Sequence, residues 1–447
     1  MRPPAMIERA SPSDLMQLAC DLPGSPMQVA AVLVFGTGWA LDLEAVRSVL
    51  GQRLHAVPRL RQCLIRAPFG GGRPVWVDDP DFDIRAHVNA VDCPAPGDQT
   101  AMLGVVADGM SRRLARNRPL WSATLITSLS GGGAALVVTL HHVLADGIGG
   151  LAVLANLVDG APSTSDTVFP HPPPSRRTLI LDAAAARRRA LSHLPAIARQ
   201  LRSAVAELTA GGVAGPPPSS LNQPIGAHRS LAVARADLAS VQRVAHAHGA
   251  TVNDVVLTAV TGALHGVLGE RGEHVDRFVI SVPVAGRRSA SAVHLGNEVG
   301  VMTVPVTVTG DLQQRLTAIA RTTRLRRRAT PNASAALLGP VFRILAWLGV
   351  FRWFVERQHL VSTMVTNVRG PDAGPTFRAA PIVEIIPVSP ITGNVTVAFA
   401  VLSYAGTLVI TVMVDPRCCP DLPYLVARLQ RELDLLAAGQ TLSTWST

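Results

Sequence analysis

Apolar and polar positions follow two alternating spacings along the chain, and together they predict an α/β protein. The unbroken apolar run Val29–Phe35 (VAAVLVF) predicts a buried strand. Over Asp42–Leu54, apolar residues recur every three or four positions, which predicts an amphipathic helix. The same patterns predict further strands at Cys63–Arg66, Pro74–Val77, Ser122–Ser128 and Ala134–Leu140, and helices at Asp98–Arg116 and Gly147–Val158.

Two segments rich in proline and small residues, 161–177 and 211–226, interrupt this pattern and predict exposed connections. They divide the chain into an N-terminal domain (1–160), a linker with a helical segment (161–226) and a C-terminal domain (227–447). The C-terminal part repeats the α/β character. Its predicted strands are Ser230–Arg235, Arg277–Val282, Val299–Val308, Val361–Thr366, Val395–Leu402 and Thr407–Val414, and its predicted helices are Leu238–His248, Thr251–Leu268 and Leu422–Leu436.

Composition narrows the class of protein. Of the 447 residues, 48% are hydrophobic and 16% charged, which excludes a disordered chain. The sequence contains no lysine, which excludes lysine Schiff bases and a Walker-type phosphate loop. The five cysteines show no C-x-x-C spacing, so we expect neither a metal site nor a disulfide framework. The N-terminus lacks a signal-peptide pattern, and no apolar run is long enough to span a bilayer, so we expect a cytoplasmic protein.

Positive charge and aromatic residues raise the question of a surface partner. Arginines outnumber acidic residues by 41 to 31, for a formal charge of +10. The runs 187–189 and 324–328 are either solvated helix faces or contacts for anionic lipids or CoA phosphates. An aromatic and arginine-rich helix predicted at Val341–Arg357 either packs between the domains or lies on a membrane surface. Aromatic residues are only 4% and no nucleic-acid-binding module is present, so we expect no nucleic acid partner.

The segment Ala134–Gly150 (AALVVTLHHVLADGIGG) carries the clearest candidate chemistry. A buried strand ends at His141 and His142, whose side chains point to opposite faces, so only one of them can face a given cleft. Histidine transfers protons near neutral pH. Asp146 and Gly147 follow at a turn, where aspartate can fix the backbone and glycine permits a tight approach.

The sequence His141 to Gly147 (HHVLADG) resembles the HHxxxDG motif of the chloramphenicol-acetyltransferase-like, CoA-dependent acyltransferases. Further segments resemble the bacterial wax ester synthase/diacylglycerol acyltransferase family within that superfamily, in the family's order from about residue 10 to residue 437. They are SPSD (11–14), PMQV (26–29), PLW (119–121), TVNDV (251–255), LGN (295–297), NVRGP (367–371) and SYAG (403–406). The chain departs from the family's usual pattern at Gln28 and Arg369, which leaves substrate preference open.

The resemblance implies an α/β fold of two chloramphenicol-acetyltransferase-like domains with mixed β-sheets and an active-site tunnel between them. It assigns His142 as the general base, with His141, Asp146 and Gly147 as structural or orienting residues. The acyl donor is then acyl-CoA, a co-substrate, and the acceptor is diacylglycerol or a long-chain alcohol; no cofactor or metal is implied. The protein would work in the cytoplasm or on the inner membrane face or lipid droplets.

Four polar residues are candidates for substrate binding. Asn253 and Asp254 open a predicted helix, where capping and an active-site role are equally good interpretations. Thr366 and Asn367 end a predicted strand and either line the tunnel or brace a loop. Two other functions stay open: an acyltransferase that uses a carrier-protein-bound donor, and an inactive lipid-binding relative.

Overall fold

The computed structural model describes residues 7–22, 24–39, 41–161, 169–192, 215–285, 299–308, 310–329 and 349–438. The first part of the chain alternates helices and strands, as its hydrophobic pattern predicts. Its elements are α1 (Pro12–Cys20), β1 (Gln28–Phe35), α2 (Leu43–Arg53), β2 (Gln62–Ile65), β3 (Val75–Asp78), β4 (Val88–Asp92), α3 (Gln99–Ser111), β5 (Trp121–Leu129), β6 (Gly133–His141), α4 (Gly147–Leu157) and α5 (Arg176–Ser192).

The second part has the same make-up. Its elements are β7 (Ser230–Asp237), α6 (Leu238–Ala247), α7 (Val252–Glu270), β8 (Arg277–Ala285), β9 (Val299–Thr307), α8 (Leu312–Ala329), α9 (Phe351–Val355), β10 (Thr363–Arg369), β11 (Thr376–Phe377), β12 (Ala380–Val388), β13 (Val397–Tyr404), β14 (Thr407–Val414) and α10 (Leu422–Ala437). The predicted strands and helices are confirmed to within about five residues at their ends, except the helix predicted at Val341–Arg357. The hydrophobic pattern did not predict α1, β4, α8, β11 or β12.

Two six-stranded mixed sheets organise these elements. The first has the order β11-β12-β1-β6-β5-β4, in which only the β4–β5 pair is parallel. The second has the order β7-β14-β13-β10-β8-β9, in which β10 runs parallel to both of its neighbours. The expected α/β architecture with mixed sheets is therefore present, and β2 and β3 form a separate hairpin.

One strand crosses between the two halves of the chain. β12 lies within the range 227–447, yet it pairs with β1 from Ala30–Val388 to Phe35–Ile382 and so belongs to the first sheet. Its Glu384 also accepts two hydrogen bonds from Arg235 on β7, at 2.5 and 2.9 Å. Dividing the chain at one sequence position therefore assigns β12 to the wrong sheet, because sheet membership depends on pairing between distant segments.

Each sheet has its own hydrophobic core, and a third core lies between the sheets. The third core joins residues of β1 and α3 to residues of β12, β13 and β14, including Val32, Met102, Ile386, Ala398 and Val409. Among the described helices, α7 alone is long and apolar enough to span a bilayer, and most of it is buried in the second core. The two halves therefore pack as one body around a shared apolar interface.

The aromatic and arginine-rich segment differs from its prediction. Residues 330–348 lie outside the described part of the chain, so Phe342, Arg343 and Trp347 cannot be placed. The prediction of one continuous helix from Val341 to Arg357 is wrong. Gly349 has a φ of +72°, and the helix α9 begins only at Phe351. Within α9, Phe351 is buried while Trp353 is 60% exposed, so the described part of the segment contributes to both packing and surface.

Candidate functional site

His141 is the last residue of β6 and His142 begins the turn that follows, and backbone hydrogen bonds hold both residues in place. The His141 N–H donates to the Leu120 carbonyl at 2.9 Å, and the His142 N–H donates to the Met27 carbonyl at 2.8 Å. The two side chains differ in burial. The His141 ring is buried, whereas the His142 side chain is half-buried and therefore reachable by a bound molecule.

The His141 ring is fixed in one orientation. Its Nδ1 accepts a hydrogen bond from the Val143 N–H at 3.0 Å, so the proton of the neutral ring lies on Nε2. Nε2 in turn lies 3.5 Å from Oδ2 of Asp21, a long distance at which the attraction is mainly electrostatic. His141 thus stabilises the turn that follows His142, and its geometry suits an orienting residue.

Asp21 is the residue on which these contacts converge. Its Oδ2 accepts hydrogen bonds from Arg113 at 2.7 Å and from Arg116 at 2.6 Å, and its Oδ1 accepts one from the Met27 N–H at 3.2 Å. Burial alone would raise the pKa of this carboxyl, but the contacts to His141, Arg113 and Arg116 outweigh it and hold the pKa well below its usual range. The carboxylate therefore stays charged. It holds the His141 ring, and it also holds the backbone of Met27, whose carbonyl accepts the hydrogen bond from the His142 N–H.

Asp146 and Gly147 start α4 in different ways. Asp146 is the N-cap, is buried, and accepts a hydrogen bond from the Gly149 N–H at 2.8 Å. Gly147 allows a close approach, because a Cβ there would lie 2.7 Å from Cγ2 of Val368 on β10. Since β10 belongs to the second sheet, the glycine of the motif marks the place where the second half of the chain packs against the first.

The four candidate substrate-binding residues lie around α7 and β10. Asn367 donates to Asn253 Oδ1 at the long distance of 3.5 Å, so these two side chains are brought together. The Nδ2 group of Asn253 is buried and has no hydrogen-bond partner within the described residues. Thr366, on the opposite face of β10, donates to the Phe399 carbonyl at 3.3 Å.

Asp254 occupies a capping position. Its Oδ2 accepts from the backbone N–H and the hydroxyl of Thr251, both at 2.8 Å, and Oδ1 accepts from the Thr323 hydroxyl at 2.7 Å. It is buried, and both of its oxygens are occupied by protein donors. Of the two interpretations of Asp254, its geometry therefore fits helix capping, which holds the neighbouring Asn253 in place.

The cysteine thiols are poorly suited to act as nucleophiles. Burial raises the pKa of Cys20, Cys63 and Cys419 to about 12, and it also raises the pKa of Cys93 and Cys418. A thiol attacks as its thiolate, so all five are held in the unreactive form near neutral pH. Covalent transfer through a cysteine is thereby disfavoured.

Comparison with known proteins identifies the family of the chain. Residues 10–256 match the wax ester synthase/diacylglycerol acyltransferase catalytic domain, and residues 295–437 match the C-terminal domain of that family. The chain belongs to the wax ester synthase/diacylglycerol acyltransferase family. A Mycobacterium tuberculosis relative described as a probable diacylglycerol O-acyltransferase is 34% identical over 420 residues, which is 90% of this chain and 89% of the relative. A Mycobacterium bovis protein described as a putative diacylglycerol O-acyltransferase matches equally well.

Solved structures agree with the fold of this wax ester synthase/diacylglycerol acyltransferase family member. The family's enzyme from Marinobacter aquaeolei VT8 superposes with a TM-score of 0.70 and 23% identity, covering 96% of this chain and 99% of that one. The first condensation domain of the calcium-dependent antibiotic synthetase superposes with a TM-score of 0.65 and 18% identity, covering 98% and 97%. The shared fold confirms the two-domain α/β architecture expected from the sequence.

Sequence reasoning missed Asp21, Arg113 and Arg116 at this site. The aspartate follows α1, and the arginines follow α3, roughly 90 residues later in the chain. No local spacing links them to the histidine motif, because the contacts form only after β1, β5 and β6 have paired. Only the opposite charges of these residues gave a signal, and that signal is not specific.

Proposed function

We propose that this protein transfers a fatty acyl group from acyl-CoA to the hydroxyl of diacylglycerol, of a long-chain alcohol, or of both, forming triacylglycerol or wax ester. Membership of an acyltransferase family and the descriptions of the mycobacterial relatives support this proposal. The observation that carries it is the position of His142, a half-buried imidazole directly after β6, five residues before the glycine that contacts the second sheet.

His142 acts as general base in the proposed reaction. Its ring nitrogen removes the proton from the acceptor hydroxyl while the oxygen forms a bond to the thioester carbonyl carbon. The carbon–sulfur bond then breaks, and the departing CoA sulfur takes the proton from the imidazolium, so the enzyme returns to its starting state. Asp21 and His141 keep the strand end in place, and the raised thiol pKa values favour this direct transfer over a cysteine-bound intermediate.

Substrate binding is proposed at the junction of α7 and β10. Asn253 offers a buried amide N–H group that lacks a protein partner within the described residues, and Asn367 lies beside it. An unsatisfied buried donor is unfavourable until something accepts its hydrogen bond. A carbonyl oxygen of a bound acyl donor or acceptor would do so. Thr366 lines the other face of the same strand, and the tunnel between the domains is part of this proposal.

Replacing His142 by alanine tests the proposal. Turnover of acyl-CoA with diacylglycerol or hexadecanol should fall by at least about 10²-fold, the contribution typical of a general base, while the melting temperature changes little. His246→Ala, which alters an exposed histidine on α6, is the matched control and should retain full activity. Near-normal turnover in the purified His142 variant would refute the assignment.

The choice of substrates is tested by exchanging the donor and acceptor. A carrier-protein-bound acyl group that reacts faster than acyl-CoA would favour the alternative donor. Wild-type protein that binds lipid yet transfers no acyl group from either donor would favour the inactive relative. We further propose that the enzyme works in the cytoplasm at a lipid surface, since its acceptors partition into lipid and its formal charge is +10.

A further inference from the structure

The turn between β2 and β3 presents an aromatic ring fully to solvent. The side chain of Phe69 is 97% exposed, more than any other large hydrophobic residue in the described part of the chain. The Pro68 carbonyl accepts a hydrogen bond from the Gly71 N–H at 2.7 Å, and Gly70 has a φ of +81°. This is the geometry of a type II turn, in which Phe69 occupies the outward-facing second position.

Side chains from outside the turn hold it rigid. Arg9 donates to the carbonyls of Gly71 at 2.6 Å and Arg73 at 2.8 Å. Arg187, on α5, donates to the carbonyl of Gly70 at 3.0 Å. Because three carbonyls of the connection between β2 and β3 accept hydrogen bonds from two other segments, the fold holds the ring in its exposed position.

Exposed arginines lie near this turn, either close to it in sequence or in contact with its backbone. Arg66 and Arg73 flank the turn in sequence, and Arg187 from α5 contacts its backbone at the Gly70 carbonyl. Arg66 and Arg73 form no ion pair within the described residues. The nearby carboxylate of Asp182 is already paired with Arg9 at 2.7 Å. The Phe69 tip, defined as Ile65, Arg66, Phe69, Arg73 and Arg187, is thus both apolar and strongly positive.

We propose that the Phe69 tip docks on an anionic lipid surface. The aromatic ring would enter the headgroup region, and the arginines around it would bind lipid phosphates. Charge complementarity favours an anionic surface over a neutral one, and the formal charge of +10 adds attraction at longer range. The proposal rests on the proposed function in one respect, since a diacylglycerol acceptor is located in such a surface.

Two other exposed apolar positions lie among arginines and serve for comparison. Leu325 on α8 is 61% exposed between Arg324 and Arg326, and Trp353 on α9 lies under Arg357. Leu325 lies on the side of a helix and Trp353 is partly covered. Neither protrudes from a braced turn as Phe69 does, so we expect them to contribute less to docking.

Co-sedimentation of the full-length protein with vesicles tests the proposal. The vesicles contain phosphatidylcholine with 30% phosphatidylglycerol, or phosphatidylcholine alone. Phe69→Ser should weaken binding to the anionic vesicles by about tenfold, the scale for losing one buried aromatic side chain. Arg66→Gln with Arg73→Gln should also weaken it and reduce its dependence on salt. Leu325→Ser, the matched control, should bind like the wild type, and all variants should keep the wild-type melting temperature.

Three results would overturn the docking proposal. The Phe69→Ser variant could bind anionic vesicles as tightly as the wild type, or the wild type could bind neutral and anionic vesicles equally. The third such result is that Leu325→Ser, and not Phe69→Ser, weakens vesicle binding. Acyl transfer to a short, water-soluble alcohol distinguishes this failure from failure of the proposed function. Phe69→Ser should keep that rate and lose rate only with diacylglycerol in anionic vesicles. A wild type that binds vesicles through Phe69 but never transfers an acyl group would refute the function and leave the docking surface standing.

Discussion

Replacing Asp21 by asparagine tests how the histidine motif is held in position. The substitution keeps the shape of the side chain and removes the charge that binds Arg113, Arg116 and the His141 ring. A hydrogen bond to a charged group contributes about 1.5–3 kcal/mol when it is buried. The two arginine side chains are 31% and 50% exposed, so water replaces part of each interaction. We therefore expect the free energy of unfolding to fall by about 2 kcal/mol, and the melting temperature by about 2 °C, because the unfolding entropy of a 447-residue chain is about 0.9 kcal/mol/K.

The pH dependence of this loss follows from the pKa of Asp21. The pKa is lower in the folded protein than in the unfolded chain, where it is about 3.9. The charged carboxylate therefore stabilises the folded state fully above about pH 4, and this contribution is lost as the pH falls toward the folded pKa. The difference in melting temperature between wild type and Asp21→Asn should be constant from about pH 5 to 8 and shrink below about pH 4.

Activity gives a second measurement on the same variant. The Met27 N–H donates a hydrogen bond to Asp21, and the Met27 carbonyl accepts one from the His142 N–H. A shift of the Met27 backbone therefore moves the proposed base. We expect kcat to fall by about tenfold with little change in KM, because a small misplacement affects the transition state more than binding. Asp372→Asn, which breaks an exposed pair with Arg369, is the matched control and should change neither quantity. Unchanged stability and kcat in Asp21→Asn at pH 7 would refute the positioning role.

Three further predictions concern the interface and the chemistry. Gly147→Ala should reduce activity and stability, because its Cβ would lie 2.7 Å from Val368 Cγ2. Adding Val368→Ala should restore both, whereas normal activity and stability in the Gly147→Ala single variant would contradict the prediction. Incubation with labelled acyl-CoA and no acceptor should leave the protein unlabelled by mass spectrometry, because every cysteine pKa is raised, whereas a stoichiometric adduct would exclude direct transfer. Arg235→Ala and Glu384→Gln should each lower the free energy of unfolding by about 1 kcal/mol in urea, and the double variant no further; additive losses would show that the two residues do not act as a pair.

The sequence predicts the strands that are buried on both faces better than those that are not. β6 and β14 are almost completely buried, so their apolar runs are continuous and easy to recognise. β12 alternates buried and exposed residues and contains Pro381 and Pro387, which are unusual within a sheet. Its partner β1 lies at the other end of the chain, and no local pattern could indicate that pairing.

The residues of the candidate site likewise fall into two groups: those that a local sequence motif predicts, and those that only tertiary packing brings together. The residues of the HHVLADG segment are close in sequence, so their motif predicts a shared location at a strand end and a helix start. Asp21 is 120 residues from His141, and its role exists only through packing. Gly349 has a positive φ directly before α9, so the helix predicted at Val341–Arg357 is not continuous; glycine permits this conformation, and the surrounding apolar pattern does not reveal it.

The crossing of β12 into the first sheet has a consequence for how the protein is made. β1 leaves the ribosome roughly 350 residues before β12, a delay on the order of 20–70 s at usual translation rates. During that time β1 forms an open edge of the first sheet, beside β6 but without its second neighbour. Open edges of this kind recruit other strands. A fragment ending at residue 226 would keep that edge permanently, so the N-terminal half would require the 376–388 segment, supplied as a separate peptide, to become a soluble unit.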